Sequence, residues 1–445
     1  LKIWLESWLV RSRYPHAAAA GVLLALAFPN CEIAGLAWVA PALMLAVAAG
    51  SDGRQSFRIG YVAGLAYHLA SLYWLLLIPV TFFPILGWLT LSAYLALYTA
   101  TWVWGAWRLW ASLSSPGGNG DSPGLLPGSW PTWGRRALWS LGVAALWVGL
   151  ETVRARLLGG FPWNILGASQ FQLTPLIQIS RVTGVYGVSF LVVWFSASLL
   201  CAGLGLLRTP SRRSAWLVDL ALPVLTIACL FAWGMRVMET APPPGRALRV
   251  AVVQPSIPQT EIWDPEENAS RFEDLIRLSE QALAENPDLM LWPEAAVPEL
   301  LRWDELTYTS ITGLARSNRT WMIVGADDAI PGNTPEDPVT YFNSSWLINP
   351  EGRIAGTYRK QQLVAFGEEV PWTRWLPFLK WLTPITGAFT RGTGFVPFPL
   401  DTLEVETTTL ICFEDVFPHL ARKSVTAETD FMVNLTNDGW FREGA

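Results

Sequence analysis

The stretch Thr409-Leu410-Ile411-Cys412-Phe413-Glu414-Asp415 runs apolar and β-branched into one cysteine followed by two acids. Such a pattern delivers a thiol to the end of a strand, and Cys412 is read as the nucleophile. A thiol is mostly protonated at neutral pH, so the site must also supply a base and a positive charge. Histidine is the common base, but the chain holds only His16, His68 and His419. The first two lie in or beside membrane-like apolar segments. His419 stands beside Pro418, where it suits the start of the next helix better than proton transfer. A carboxylate is therefore the expected base.

Two upstream stretches offer the missing groups. Leu289-Met290-Leu291-Trp292-Pro293-Glu294 is an apolar strand pattern that sets Glu294 at the mouth of a sheet. Tyr358-Arg359-Lys360-Gln361-Gln362-Leu363-Val364-Ala365-Phe366-Gly367-Glu368 places a lysine among apolar residues with a carboxylate further on. Taken singly each signal is weak, because an isolated Glu or Lys is usually a solvated surface residue and an isolated strand Cys is usually inert packing.

In this order the three stretches resemble the Glu-Lys-Cys triad of the nitrilase superfamily. More closely, Trp292-Pro293-Glu294, Lys360 with Phe366-Gly367-Glu368-Glu369-Val370-Pro371, Ile411-Cys412-Phe413-Glu414, Asn437-Asp438-Gly439-Trp440-Phe441 and Phe161-Pro162-Trp163 are similar to motifs of the bacterial apolipoprotein N-acyltransferases. The resemblance spans nearly the whole chain. It implies a polytopic α-helical membrane domain followed by a nitrilase-like α/β domain of αββα sandwich form. It implies an enzyme that moves an acyl chain from a phospholipid, through a Cys412 thioester, to the N-terminal amine of a diacylglyceryl-cysteine on a lipoprotein. Glu294 would then act as base and Lys360 as oxyanion stabiliser, with Glu368 a second carboxylate that orients one of them. Glu414 matches another important family position, and Phe413 stands where the family often has Tyr. Trp263 resembles a substrate-arm tryptophan, with packing against the first helix of the domain as the alternative. Phe161 and Trp163 read either as a rim that guides acyl chains or as an interfacial aromatic belt. No metal or organic cofactor is implied.

Behind these residues stands a chain of 445 residues that is 51% hydrophobic and only 15% charged, a membrane-protein composition. Its net charge of -5 argues against a nucleic-acid partner. The four cysteines form no disulfide framework and no zinc spacing. Residues 1–240 are read as the membrane domain, with spans near 16–29, 33–50, 57–80, 83–107, 137–153, 175–206 and 215–235. No cleavable signal is evident, so the first is expected to remain as an anchor. Basic residues gather in alternate loops, which places those loops in the cytoplasm and everything after about residue 240 on the outer face of the cytoplasmic (inner) membrane. Arg154 and Arg156 break that pattern, either to meet lipid phosphates or in a plain interfacial role.

Residues 247–445 are read as the catalytic domain, with strands near 248–254, 288–292, 320–325, 341–348, 353–358, 407–412 and 430–436 alternating with helices. Asn343 and Asn437-Asp438 are expected to hold sheet ends through the backbone. The aromatic segment around Trp372, Trp375, Phe378 and Trp381 is expected to lie on the bilayer as a lid, with buried core as the alternative. The chain stops at Ala445, just past the Asn-Asp-Gly-Trp-Phe motif, whereas the resemblance implies further sandwich and a last membrane helix; the domain is read as C-terminally incomplete, poorly stable as it stands. The alternative function is a membrane-tethered nitrilase-like amidase or hydrolase, with water as acceptor.

Overall fold

The structure is a computed structural model that describes residues 12–113, 130–208, 213–242, 245–262, 264–332, 334, 337–371, 373, 375, 377–378 and 389–440. The chain divides into two units, Leu1–Leu76 with Pro84–Pro242, and Leu77–Phe83 with Pro243–Ala445.

The first unit is helical: α1 (Arg13–Ala25), α2 (Ala40–Ala48), α3 (Gly53–Ser71), α4 (Phe83–Leu113), α5 (Trp133–Arg154), α6 (Val185–Arg208) and α7 (Arg213–Glu239). Among the described residues, three segments are long and apolar enough to cross a membrane: Phe83–Leu113, Val185–Leu207 and Trp216–Glu239. The expected run 175–206 is not one helix. Two single turns, Thr174–Ile177 and Ser180–Thr183, precede α6, and Gly184 at φ +65° breaks the chain between them. Some buried polar groups of this unit are paired: Arg136 on α5 grips Asp219 on α7 through Nε and Nη2 at 2.9 Å. Glu151 on α5 accepts from Trp147 Nε1 at 2.9 Å and from the Leu166 amide at 2.8 Å. Arg154 is buried and turns inward, its Nη2 donating to the Asn164 carbonyl at 3.4 Å, while Arg156 stays exposed.

The second unit contains two sheets. One has the order β1-β2-β3-β4-β5, from β1 (Val250–Val252), β2 (Leu289–Leu291), β3 (Trp321–Ile330), β4 (Thr340–Ile348) and β5 (Ile354–Arg359). Its first three strands are parallel and its last three antiparallel. The other has the order β6-β7-β8, from β6 (Phe398–Leu400), β7 (Val405–Ile411) and β8 (Thr429–Leu435). Strand alternation sorts side chains into two cores. Leu289, Trp321, Ile323 and Leu347 face the second sheet and meet Phe398, Ile411, Val433 and Leu435. Met290, Met322, Val324, Trp346 and Ile348 face the other way, onto α8 (Asn268–Leu283) and α9 (Glu305–Asn318) through Leu275, Leu283, Ile311 and Ala315. This is a nitrilase-like α/β sandwich.

Two differences from the expected strands matter for the site. β6 is three residues long and carries Pro399, so it has no pattern to read. β3 runs on to Ile330, and its extension Gly325-Ala326-Asp327-Asp328 brings two acids onto the sheet.

Gly325 is where the Glu294 loop lies down on β3. The amides of Trp292 and Ala296 donate to the carbonyls of Ile323 and Gly325, at 2.9 and 3.0 Å. A Cβ on Gly325 would fall 2.1 Å from the Pro293 carbonyl oxygen and 2.7 Å from the Glu294 Cα, both backbone atoms that cannot swing away. We predict that Gly325→Ala costs about 1–3 kcal/mol of stability by overpacking. It should also push Glu294 out of place, read as a lowered melting temperature in detergent together with lost Cys412 chemistry; a variant with unchanged melting and activity would refute the close approach.

Candidate active site

Three loops at strand ends supply the site. Glu294 follows β2, Lys360 follows β5 and Cys412 follows β7. Lys360 is buried, and its Nζ donates to Glu294 Oε1 and to Glu368 Oε1, both at 2.9 Å. An ammonium taken out of water needs such pairing. Burial alone works to lower the lysine pKa, but the two carboxylates prevail and hold it above the ordinary lysine range. The backbone at Lys360 is pinned as well: its amide donates to the Asn343 carbonyl at 2.9 Å, and its carbonyl accepts from Gly392 at 2.8 Å. Next door, Arg359 Nη2 and Arg302 Nη2 close on the buried Asp328 carboxylate at 2.6 and 2.5 Å, tying the end of β5 back to β3.

Cys412 sits at φ +52°, the left-handed region that a non-glycine residue adopts at a cost. It opens a short turn, Cys412–Val416. Burial first and the Glu294 carboxylate second push its thiol up to about 12, with Lys360 pulling the other way. Glu294 and Thr436 are the polar side chains that act on the thiol beside Lys360. The resting sulfur is thus a thiol beside a carboxylate that can take its proton, and a cation stands within electrostatic reach of both.

Glu414 anchors this elbow from below. Fully buried, it accepts from Tyr358 Oη at 2.8 and 2.9 Å, from the amides of Gln361 and Gln362 at 2.7 and 3.0 Å, and from the Ile411 amide at 2.9 Å. Burial raises its pKa, and these donors pull against that rise. One carboxylate therefore fastens the lysine loop to the cysteine turn.

The structure brings together Glu294, Lys360, Cys412, Glu368 and Glu414. Glu368 lies in a turn, where its Oε2 accepts from the Val364 amide at 2.9 Å. Phe413 packs edge-on against Phe417, ring centroids 4.9 Å apart, and His419 lies in the first turn of α10 (Pro418–Ser424) with its ring against Phe417. Phe161 and Trp163 stack in the helical unit, with Trp163 also against Trp74 at 4.8 Å. Trp263 lies outside the described residues, as do Trp372 and Trp381 of the expected lid; Trp375 and Phe378 are exposed. One functional residue escaped the sequence reading. Asn343 does not merely hold the sheet through its backbone: its side-chain Nδ2 donates to Glu294 Oε1 at 2.7 Å and to Glu368 Oε1 at 2.8 Å, the same two oxygens that Lys360 engages. The available signal was a polar Asn-Ser-Ser triplet inside an otherwise buried apolar strand.

Residues 20–198 match the apolipoprotein N-acyltransferase N-terminal domain, and residues 249–445 match the carbon-nitrogen hydrolase domain. The apolipoprotein N-acyltransferase of Geobacter metallireducens is 37% identical over 97% of this chain and 78% of its own length. That of Azotobacter vinelandii is 30% identical over 98% of this chain and 79% of its own. Among solved structures, an amidase from Nesterenkonia sp. aligns at 17% identity with a TM-score of 0.32, over 44% of this chain and 68% of that one.

Two predictions follow from the electrostatics and the anchor. Glu294→Gln removes a negative charge from beside the thiol and leaves Lys360 in place, so alkylation of Cys412 by iodoacetamide, followed by peptide mass mapping, should titrate at lower pH than in the parent. An unchanged or higher midpoint would contradict the assigned cause. Glu414→Ala strands four buried donors and should destabilise the second unit by about 3 kcal/mol or more, seen in thermal unfolding, whereas Glu414→Gln should cost less.

Proposed function

The chain belongs to the apolipoprotein N-acyltransferase family, and from that premise we propose that Glu294, Lys360 and Cys412 perform its acyl transfer in two half-reactions. The observation that carries this is the buried Lys360 ammonium held between Glu294 and Glu368, with the Cys412 thiol within electrostatic reach of Glu294 and Lys360. In the first half-reaction Glu294 takes the Cys412 proton as sulfur attacks the ester carbonyl of a phospholipid acyl chain. A C–S bond forms and the carbonyl becomes an oxyanion, for which the Lys360 charge is the nearby stabiliser. The intermediate collapses by breaking the ester C–O bond, and Glu294 returns the proton to the departing lysophospholipid alkoxide. In the second, the N-terminal amine of a diacylglyceryl-cysteine attacks the thioester. Glu294 accepts the amine proton, the C–S bond breaks, and the proton passes back to Cys412 sulfur.

Glu368 acts through Lys360, Asn343 through both carboxylates, and Glu414 through the backbone of the two loops. Trp263, Phe413, Phe161 and Trp163 are proposed as substrate contacts, and residues 1–240 and 247–445 as the membrane and catalytic domains. The protein is a multi-pass membrane protein. Its seven-span count is inferred from the apolar runs, and the outward placement of the catalytic domain, on the far side of the bacterial inner membrane from the cytoplasm, from the alternating basic loops. A donor and an acceptor that both live in the bilayer suit a catalyst anchored there.

The deciding measurement is intact mass of detergent-solubilised protein incubated with phospholipid and no acceptor. An acyl adduct labile to hydroxylamine should form, vanish in Cys412→Ala, and drop by about 10²–10⁴-fold in rate in Glu294→Gln. Release of free fatty acid as the main product, with no transfer to a diacylglyceryl-cysteine peptide, would replace this reading with the hydrolase.

A further inference from the structure

The site contains a carboxylate that the proposed reaction does not use. Asp327 lies directly opposite Asn343 in the antiparallel β3–β4 pair, and Ser344 opposite Arg359 in the β4–β5 pair puts Lys360 one step on from that row. Residues in register across a sheet share a face, so Asp327, Asn343 and Lys360 form one row on the face turned towards β7 and the cysteine turn. The middle member is the one that donates to both Glu294 and Glu368. That fixes the amide orientation: a carbonyl oxygen aimed at two carboxylates would be repelled. Its Oδ1 then points away from them, is buried, and accepts no hydrogen bond. Across the strand pair, Asp327 Oδ1 is likewise buried and without a partner. Two facing buried acceptors are costly, and a single proton between them satisfies both.

Resting on the reading above, we propose that Asp327 is a positioning residue that carries a proton in the working enzyme and donates it as a hydrogen bond to Asn343 Oδ1, locking the amide against the Glu294 and Glu368 carboxylates. The charged groups facing it are Glu294 from the β2 loop and Glu368 and Lys360 from the β5 loop. Burial first, then the two carboxylates, push Asp327 up to about 7, with Lys360 opposing. Ionisation above that pH sets a third negative charge opposite Asn343 Oδ1. The amide loses its hold, and the Lys360 charge is shared among three acids instead of two. The linkage sign is that of a raised acid: the stability contributed by the protonated form is full below the ordinary aspartate value of 3.8 and is lost as pH rises through about 7.

The test compares the full chain with Asp327→Asn and Asp327→Ala in micelles of phosphatidylethanolamine and phosphatidylglycerol, reading Cys412 acyl-adduct rate from pH 5 to 9, the approximate range being set to bracket the titration. The parent rate should fall on the alkaline side from about pH 7. Asp327→Asn keeps a donor that cannot ionise, so at about pH 6 its rate should stay within about threefold of the parent and the alkaline fall should disappear. Asp327→Ala frees Asn343 and should lose about 10- to 100-fold below about pH 7, where the parent holds its proton, and should show no alkaline fall of its own. Persistence of the alkaline fall in Asp327→Asn, or an alanine variant with the parent profile, overturns the proposal. A second readout needs no turnover: the infrared difference spectrum of resting protein across this pH range should show a protonated-carboxyl band that is missing in Asp327→Asn. An infrared band with no Cys412 adduct would sink the acyl-transfer assignment and leave the proton on Asp327 established; an adduct with no band would do the reverse.

Discussion

The strand-end loops of the second unit answer to one buried ammonium. Lys360 has left water, and an unpaired cation in such a place is untenable. Its position therefore dictates where Glu294 and Glu368 must be, and Asn343 dictates how their oxygens point. The surrounding structure reads as the means of holding that constellation still. Arg359 is tied down by Asp328, the Lys360 backbone is fixed on both sides, and Glu414 clamps the loop to the cysteine turn. The thiol gains from the cation only an opposing pull against burial and a neighbouring carboxylate. On that balance the resting sulfur is held as a thiol and not as a standing thiolate.

Division of labour among the acids follows from what each accepts. Glu294 and Glu368 receive the same two donors, but of the two it is Glu294 whose charge bears on the thiol. Glu414, saturated by backbone amides and a phenol, has no lone pair directed at substrate chemistry and works as a rivet. Asp328 is consumed by two guanidinium groups. Asp327, on the opposite face of the same strand from Asp328, faces the cluster of Glu294, Glu368 and Lys360. Adjacent residues of identical type thus hold unrelated roles because a strand turns successive side chains to opposite faces.

The parts of the site that the sequence made legible are those that end an apolar run. Glu294, Lys360 and Cys412 each interrupt a buried strand pattern at its edge, where a charge or thiol stands out. Asn343 and Asp327 lie within strands, and their meaning depends on register between β3 and β4, which no local pattern encodes. The strand positions were mostly readable from alternation, except for β6, too short and proline-bearing, and the far end of β3, whose acids look like a loop. In the helical unit hydropathy found the apolar runs but could not place their breaks: one glycine at φ +65° separates two single turns from a long helix. Glu151 and Arg154, buried and engaged with neighbouring backbone, read from sequence as an unremarked acid and an outer-loop base.

The clamp made by Glu414 joins residues far apart in the chain: Gln361 and Tyr358 come from more than fifty positions earlier, and Glu294 reaches Lys360 across sixty-six. Contacts of such long sequence separation close late in folding, because the intervening loops must be ordered first. A nascent chain emerging from synthesis has a lysine, three acids and a cysteine with ordinary, unconnected properties until the second sheet docks on the first. Assembly of the fold and assembly of the cluster are one event, so an incompletely folded chain holds none of the pairings that set these groups apart from ordinary side chains.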